Sequence, residues 1–173
     1  RYFLAILQVF NDSQLRCHSG YHDMRAFIEE TLGSFARHAP PSRMLVIKHH
    51  PMDRGHRNYR AFINALSARY GVGERVIYIH DVPLPELLSN TAGVVTINST
   101  AGISALIHNK PLKVMGSALY DIDGLTFQGA LDAFWRAPFR PDHRLFSAFR
   151  CYLMRSTQIN TVFYSRENPF IGL

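Results

Sequence analysis

A chain of 173 residues with 47% hydrophobic content is long enough for one sizeable core and too short for two ordinary domains. A net charge of +6 suits an anionic partner, but the chain has no Lys/Arg block of nucleic-acid type, and its aromatic residues sit mainly inside apolar runs, so nucleic acid is set aside. The two cysteines, Cys17 and Cys151, lack the paired spacing of a zinc site and the density of a secreted disulfide scaffold, which points to a reducing cytoplasm.

The sequence opens at Arg1 inside an apolar run, Tyr2 to Val9, and is read as an excised C-terminal piece of a longer protein. That run falls short of the roughly 20 apolar residues of a membrane span and reads as a buried strand; no other stretch approaches spanning length, so the piece is expected to be soluble. Helical periodicity follows from Asp23 to Arg37, where Met24, Phe27, Ile28, Leu32 and Phe35 form a core stripe and Glu29, Glu30, Ser34 and Arg37 are left for solvent. A strand is expected at Met44 to Lys48 and a second amphipathic helix from Asn58 to Tyr70, with Tyr59, Phe62, Ile63 and Leu66 inward. Strands at Val76 to Ile79, Gly93 to Ile97 and Leu112 to Met115 then alternate with helices at Leu84 to Asn90, Ala101 to His108 and Thr126 to Phe134.

Five continuous apolar strands alternating with helices indicate an α/β fold: a Rossmann-like parallel sheet with flanking helices. Residues 1–135 form this Rossmann-like domain in this reading. Residues 136–173 comprise a linker around Arg136, Pro138, Arg140 and Pro141, then a basic amphipathic helix from His143 to Thr157, and a tail. That helix reads either as a membrane-surface element or as one docking on the rest of the protein; five apolar positions against three arginines favour docking.

Ligands of open α/β sheets sit at the carboxyl ends of the strands, so the residues after each strand are the candidates. The first strand exits through Gln8-Val-Phe10-Asn11-Asp12, where an acid and two carboxamides could orient a sugar or stabilise a developing cation. Taken alone, Asn11-Asp12-Ser13 is better accounted for by ordinary turn chemistry. The second strand ends in Lys48-His49-His50-Pro51: proline biases the backbone before it towards an extended form, His50 could serve a phosphate or leaving group, and Lys48 adds fixed charge. The fourth ends in Asn98-Ser99-Thr100-Ala101-Gly102 at a helix start, where free first-turn amides and hydroxyls suit an anion and Gly102 would admit a ligand close to the backbone. After the fifth strand, the loop from Gly116 to Gly124-Leu125-Thr126 is expected to add amides and the Thr126 hydroxyl to the same cleft.

Taken in order, Gln8-Val-x-x-Asp12, Lys48-x-His50-Pro51, Asn98-Ser-Thr-x-Gly102, Asn109-Lys-Pro111 and Gly124-Leu-Thr126 resemble the capsule polysaccharide biosynthesis/export family over most of residues 3 to 134. Members of that family resemble retaining β-Kdo transferases that use CMP-Kdo. The resemblance implies a GT-B fold with this chain as its C-terminal donor-binding half, the acceptor-binding N-terminal half being absent and the isolated piece inactive.

It also implies Asp12 as nucleophile and His50 as the catalytic and phosphate-binding histidine. Gln8, Asn11, Lys48, Pro51, Asn98, Ser99, Thr100, Gly102, Gly124, Leu125 and Thr126 follow as nucleotide-sugar contacts. CMP-Kdo is the donor substrate, no cofactor or metal is expected, and Asp121 and Asp123 are read as loop or ribose contacts. A lipid or glycolipid acceptor at the inner face of the cytoplasmic membrane and a capsule assembly or export complex complete the expected partners. Phe10 departs from the polar or acidic residue expected there, and Ser104 stands where GT-B enzymes often carry a ribose-binding Glu. The competing readings are another GT-B transferase, such as a CDP-glycerol glycerophosphotransferase, and a non-catalytic export component.

Overall fold

Five apolar runs become the strands β1 (Tyr2–Ile6), β2 (Met44–Lys48), β3 (Val76–Ile79), β4 (Thr91–Thr96) and β5 (Leu112–Val114) in the computed structural model, which describes residues 1–53, 55–136 and 139–156. Every pairing is parallel, in the order β3-β2-β1-β4-β5. From the central β1 the chain winds outward through β2 to β3, then returns to place β4 on the other flank of β1 and moves out to β5. The winding reverses between β1 and β4, and such a reversal opens a crevice at the carboxyl ends of those two strands.

The helices on the sheet are α1 (Ser13–Cys17), α2 (Met24–His38), α3 (Arg60–Arg69), α4 (Leu84–Asn90), α5 (Ala101–Ile107) and α6 (Leu131–Phe134). Residues Arg1–Pro141 make one unit; Asp142–Leu173 make a second, whose described part holds α7 (His143–Ser156). Asp142 caps α7 by accepting from the Arg144 and Leu145 amides at 2.8 and 3.0 Å, and these bonds hold its carboxyl below the usual range. Among the described residues no helix is long and apolar enough to cross a membrane. Thr157, the expected end of that helix, and the tail lie outside the described residues.

The longest helix among the described residues, α2, follows its sequence pattern. Asp23 caps α2 by accepting from Ala26 N at 3.0 Å, and Met24, Phe27, Ile28, Leu32 and Phe35 are buried on the sheet. Ser34 corrects the expectation of an exposed position. It is buried, accepts from Trp135 Nε1 at 2.8 Å and donates to Asp132 at 2.5 Å. A small hydroxyl there lets the indole turn edge-on to Phe3 and Phe35, with ring centroids 5.0 and 5.5 Å away, while its N–H stays bonded.

Two boundaries differ from the periodicity by several residues, and short elements add to it. The first strand stops pairing at Ile6 rather than Val9, because Gln8 turns its amide across to β4. The helix expected from Thr126 begins only at Leu131: Gly124 takes a left-handed φ of +83° and Thr126 bonds back to Ile122 and Asp121, making a turn. Pro51–Asp53 forms a single 3-10 turn after His50, and α1 was not expected at all.

Opposite Phe3 in the β1–β4 register stands Gly93, whose absent Cβ leaves room for the Phe3 and Phe134 rings. A Cβ there would come within 2.9 Å of Phe134 and 3.2 Å of Phe3. Gly93→Ala is therefore expected to lower unfolding free energy by about 1–3 kcal/mol through overpacking, measured by urea denaturation at unchanged m-value.

Candidate functional site

The crevice at the winding reversal is bridged by one buried carboxamide. Gln8, 2% exposed, accepts from Asn98 N at 2.9 Å through Oε1 and donates through Nε2 to Asn98 Oδ1 at 2.8 Å and Asp12 Oδ2 at 3.1 Å. Its orientation is forced, since a flipped amide would set NH2 against the Asn98 N–H. Asp12 is thus tied to the exits of both β1 and β4. Asn98 Nδ2 continues the network to His18 O at 3.3 Å, and the same carbonyl accepts from Ser117 N at 2.7 Å. Asn11, by contrast, is exposed on the loop.

Beside this bridge lies a cleft of about 270 Å³ whose lining brings Lys48, His50 and Pro51 from the β2 exit together with Ser99, Thr100 and Ser104 from the β4 exit. Lys48 is buried, with Nζ donating to His80 O at 3.1 Å. His50 Nδ1 accepts from Met52 N at 3.2 Å, in the 3-10 turn that begins at Pro51, so Nε2 is the protonated nitrogen of the neutral ring and its donor. The cleft therefore joins a cation, an imidazole N–H and three hydroxyls. These are groups suited to a phosphate.

Other expected contributors have different duties. The first-turn amides of α5 are engaged within the chain: Ala101 N donates to Ser99 Oγ, Gly102 N to Ser99 O and Ile103 N to Thr100 O. Hydroxyls rather than free amides are what this helix start offers a ligand. Gly102 makes room for Tyr120, not for a ligand; a Cβ would meet the Tyr120 hydroxyl oxygen at 2.5 Å, and that hydroxyl donates to Ser99 O. Burial and Asp121 raise the Tyr120 pKa, so it remains a donor.

Leu125 and Thr126 are fully buried. The Thr126 hydroxyl donates to Asp121 at 2.6 Å and accepts from Gln128 at 2.7 Å, while Asp123 accepts from Gly124 N at 2.9 Å. The β5 loop buttresses Ser99 from behind through Tyr120 and does not offer the Thr126 hydroxyl to a cleft. The Asn109-Lys110-Pro111 motif lies at the opposite, amino end of the sheet, where it lines a hollow of about 1000 Å³ with Arg43 and Arg136.

Sequence reading missed a buried polar layer under the His-Pro turn. Asp53, with no exposed surface, accepts from Phe10 N at 3.2 Å and so ties the Asp12 loop to the turn that carries His50. His49 shares a 2.6 Å bond between Nδ1 and the Tyr78 hydroxyl, with the His80 ring 4.5 Å away between centroids. Burial, then the neighbouring His80, pushes the His49 imidazole below its ordinary range. Burial, followed by Asp53, pushes Tyr59 up to about 12. Four histidines within 32 residues and an acid three positions after His50 were the available signal, but pattern alone does not separate a buried acid from a loop acid.

The model of the family "Capsule polysaccharide biosynthesis protein" matches residues 1–164. The chain is 65% identical over 164 residues to the Escherichia coli capsule polysaccharide export protein KpsS, covering 95% of this chain and 42% of that protein. It is 50% identical over 167 residues to the Neisseria meningitidis capsule polysaccharide modification protein LipB, covering 96% of this chain and 40% of that one. The chain thus spans about two fifths of the length of these relatives. Among solved structures, Thermosulfurimonas dismutans KpsC, a beta Kdo 2,7 transferase, superposes with a TM-score of 0.57 at 21% identity over 86% of this chain and 44% of that one. The two share the α/β Rossmann-like arrangement of a parallel sheet with flanking helices.

Because Gln8 fits by its amide and not by its volume, Gln8→Glu isolates the hydrogen bonds. It would face a second carboxylate towards Asp12 and is expected to cost about 1–3 kcal/mol at pH 7.5, shrinking at pH 5 as protonation relieves the repulsion, both read by urea denaturation.

Proposed function

The chain belongs to the capsule polysaccharide biosynthesis family, and from that premise we propose that it is the donor-binding part of a retaining transferase that moves Kdo from CMP-Kdo to a lipid or glycolipid acceptor. The observation carrying this reading is the convergence of Lys48 and His50 with Ser99 and Thr100 on one cleft, next to the bridge by which Gln8 holds Asp12. The solved Kdo transferase with a similar fold supports the choice of sugar.

The chemistry asks for these groups. Kdo carries a carboxylate beside its anomeric carbon, so a site for CMP-Kdo binds two anions while cationic character develops between them. Lys48, the His50 Nε2–H and the Ser99 and Thr100 hydroxyls serve the phosphate and carboxylate. As the bond from the anomeric carbon to the phosphate oxygen breaks and CMP departs, Asp12 takes up the anomeric carbon through a carboxylate oxygen. Attack by an acceptor hydroxyl then releases Asp12, the hydroxyl proton being lost as the new glycosidic bond forms, and two displacements restore the configuration. Ser104, on the cleft lining, is within the surface available to the ribose. The remainder of the full-length protein supplies the acceptor half, at the inner face of the cytoplasmic membrane.

Calorimetric titration of the chain with CMP, UMP, CDP and UDP tests the reading. CMP is expected to bind tightest; His50→Ala should weaken it by about 10-fold or more through loss of a phosphate donor, and Asp12→Asn should leave it within about 2-fold. Equal affinity for all four nucleotides overturns the CMP assignment, and loss of CMP in Asp12→Asn overturns the role given to Asp12.

A further inference from the structure

A second hollow, of about 540 Å³, opens on the same β1 exit loop and shares no lining residue with the Lys48–His50 cleft. Leu7 lines the cleft, Phe10 lines the hollow, and Asp12 stands two residues further along. We propose that this hollow is an oxyanion subsite, in which Arg25 and Arg57 bind a phosphate or carboxylate borne by the acceptor. The assignment of the ligand to the acceptor rests on the role proposed for Asp12; the anion site itself does not.

Both guanidiniums are held by ring faces instead of carboxylates. Arg57 lies 4.8 Å from the Phe10 centroid and Arg25 5.3 Å from that of Phe62, and among the described residues neither forms an ion pair. A guanidinium stacked on a ring is fixed in orientation while its in-plane N–H donors stay available for bidentate bonding. Asp23, the acid on the lining, is committed to the α2 cap at Ala26 N, leaving one acid against two arginines. Asn58 Oδ1 accepts from Arg60 N at 2.9 Å, so the amide group of Asn58 has its nitrogen to offer as a further donor.

The wall is built rather than incidental. Buried Asp53 accepts from Phe10 N at 3.2 Å, and its carbonyl accepts from His56 N and Arg57 N at 3.0 Å each. These bonds tie the backbone of Phe10 and that of Arg57 to the same residue, with the Arg57 side chain over the Phe10 ring. Binding a ligand oxyanion here would bring the molecule carrying it to the loop of Asp12.

The test uses this chain saturated with CMP and titrated with inorganic phosphate and, separately, acetate, followed by 1H–15N NMR. Wild type is expected to bind at least one of the two, with shifts centred on Phe10, Arg25 and Arg57. Arg25→Gln/Arg57→Gln should weaken that binding by about 10-fold with CMP affinity and melting temperature unchanged, and Arg25→Lys/Arg57→Lys should fall between, since ammonium keeps charge without the fork. Preference for phosphate identifies a phosphorylated acceptor, and preference for acetate a carboxylated one. Binding that survives the double glutamine variant, anion binding that displaces CMP, or no binding of either anion overturns the subsite. Arginine-dependent anion binding by a chain that shows no preference for CMP would retain the subsite and remove the donor assignment instead.

Discussion

A parallel sheet wound in two directions from β1 leaves its central strand-ends without a covering connection, and in this protein a single buried amide, Gln8, spans the gap. Oε1 takes the Asn98 N–H and Nε2 is divided between Asn98 and Asp12, so the exits of β1 and β4 and the candidate nucleophile share one rigid network. Burial makes that network demanding, because an amide out of water must have its donors and acceptors matched. The consequence is a fixed carboxylate where the fold itself places ligands.

Around this bridge, two layers serve the site without lining the cleft. Tyr120 fills the space over Gly102 and bonds the Ser99 carbonyl, setting the hydroxyl-bearing turn from behind. Asp53 joins the loop of Asp12 to the His-Pro turn from below. The proposed acceptor subsite follows from the second connection, since the residue that holds Phe10 also positions the backbone of Arg57.

Strand positions and the α/β class were legible because buried parallel strands read as continuous apolar runs, and the α2 stripe because its period is helical. Residues whose role depends on a distant partner were not. Ser34 looks like a solvent position until Trp135, 101 residues away, brings its indole N–H to it. Gly102 and Tyr120 are 18 positions apart, so the glycine reads as an opening for ligand when it is an opening for tyrosine. A Ser-Thr-Ala-Gly helix start likewise suggests free amides, yet the turn closes on itself through Ser99 and Thr100. The meeting of Lys48-x-His50-Pro51 with Ser99-Thr100 followed from topology once the strand ends were identified. The part played by Asp53 depended on a burial that local pattern does not encode.

The most direct measurement of the central claim is a crystal structure of this chain with CMP. The account predicts the phosphate within hydrogen-bonding distance of His50 Nε2 and the Ser99 or Thr100 hydroxyl, with the Gln8 bridge to Asp12 and Asn98 intact. A CMP phosphate seated instead among Arg43, Lys110 and Arg136, at the amino end of the sheet, would contradict it.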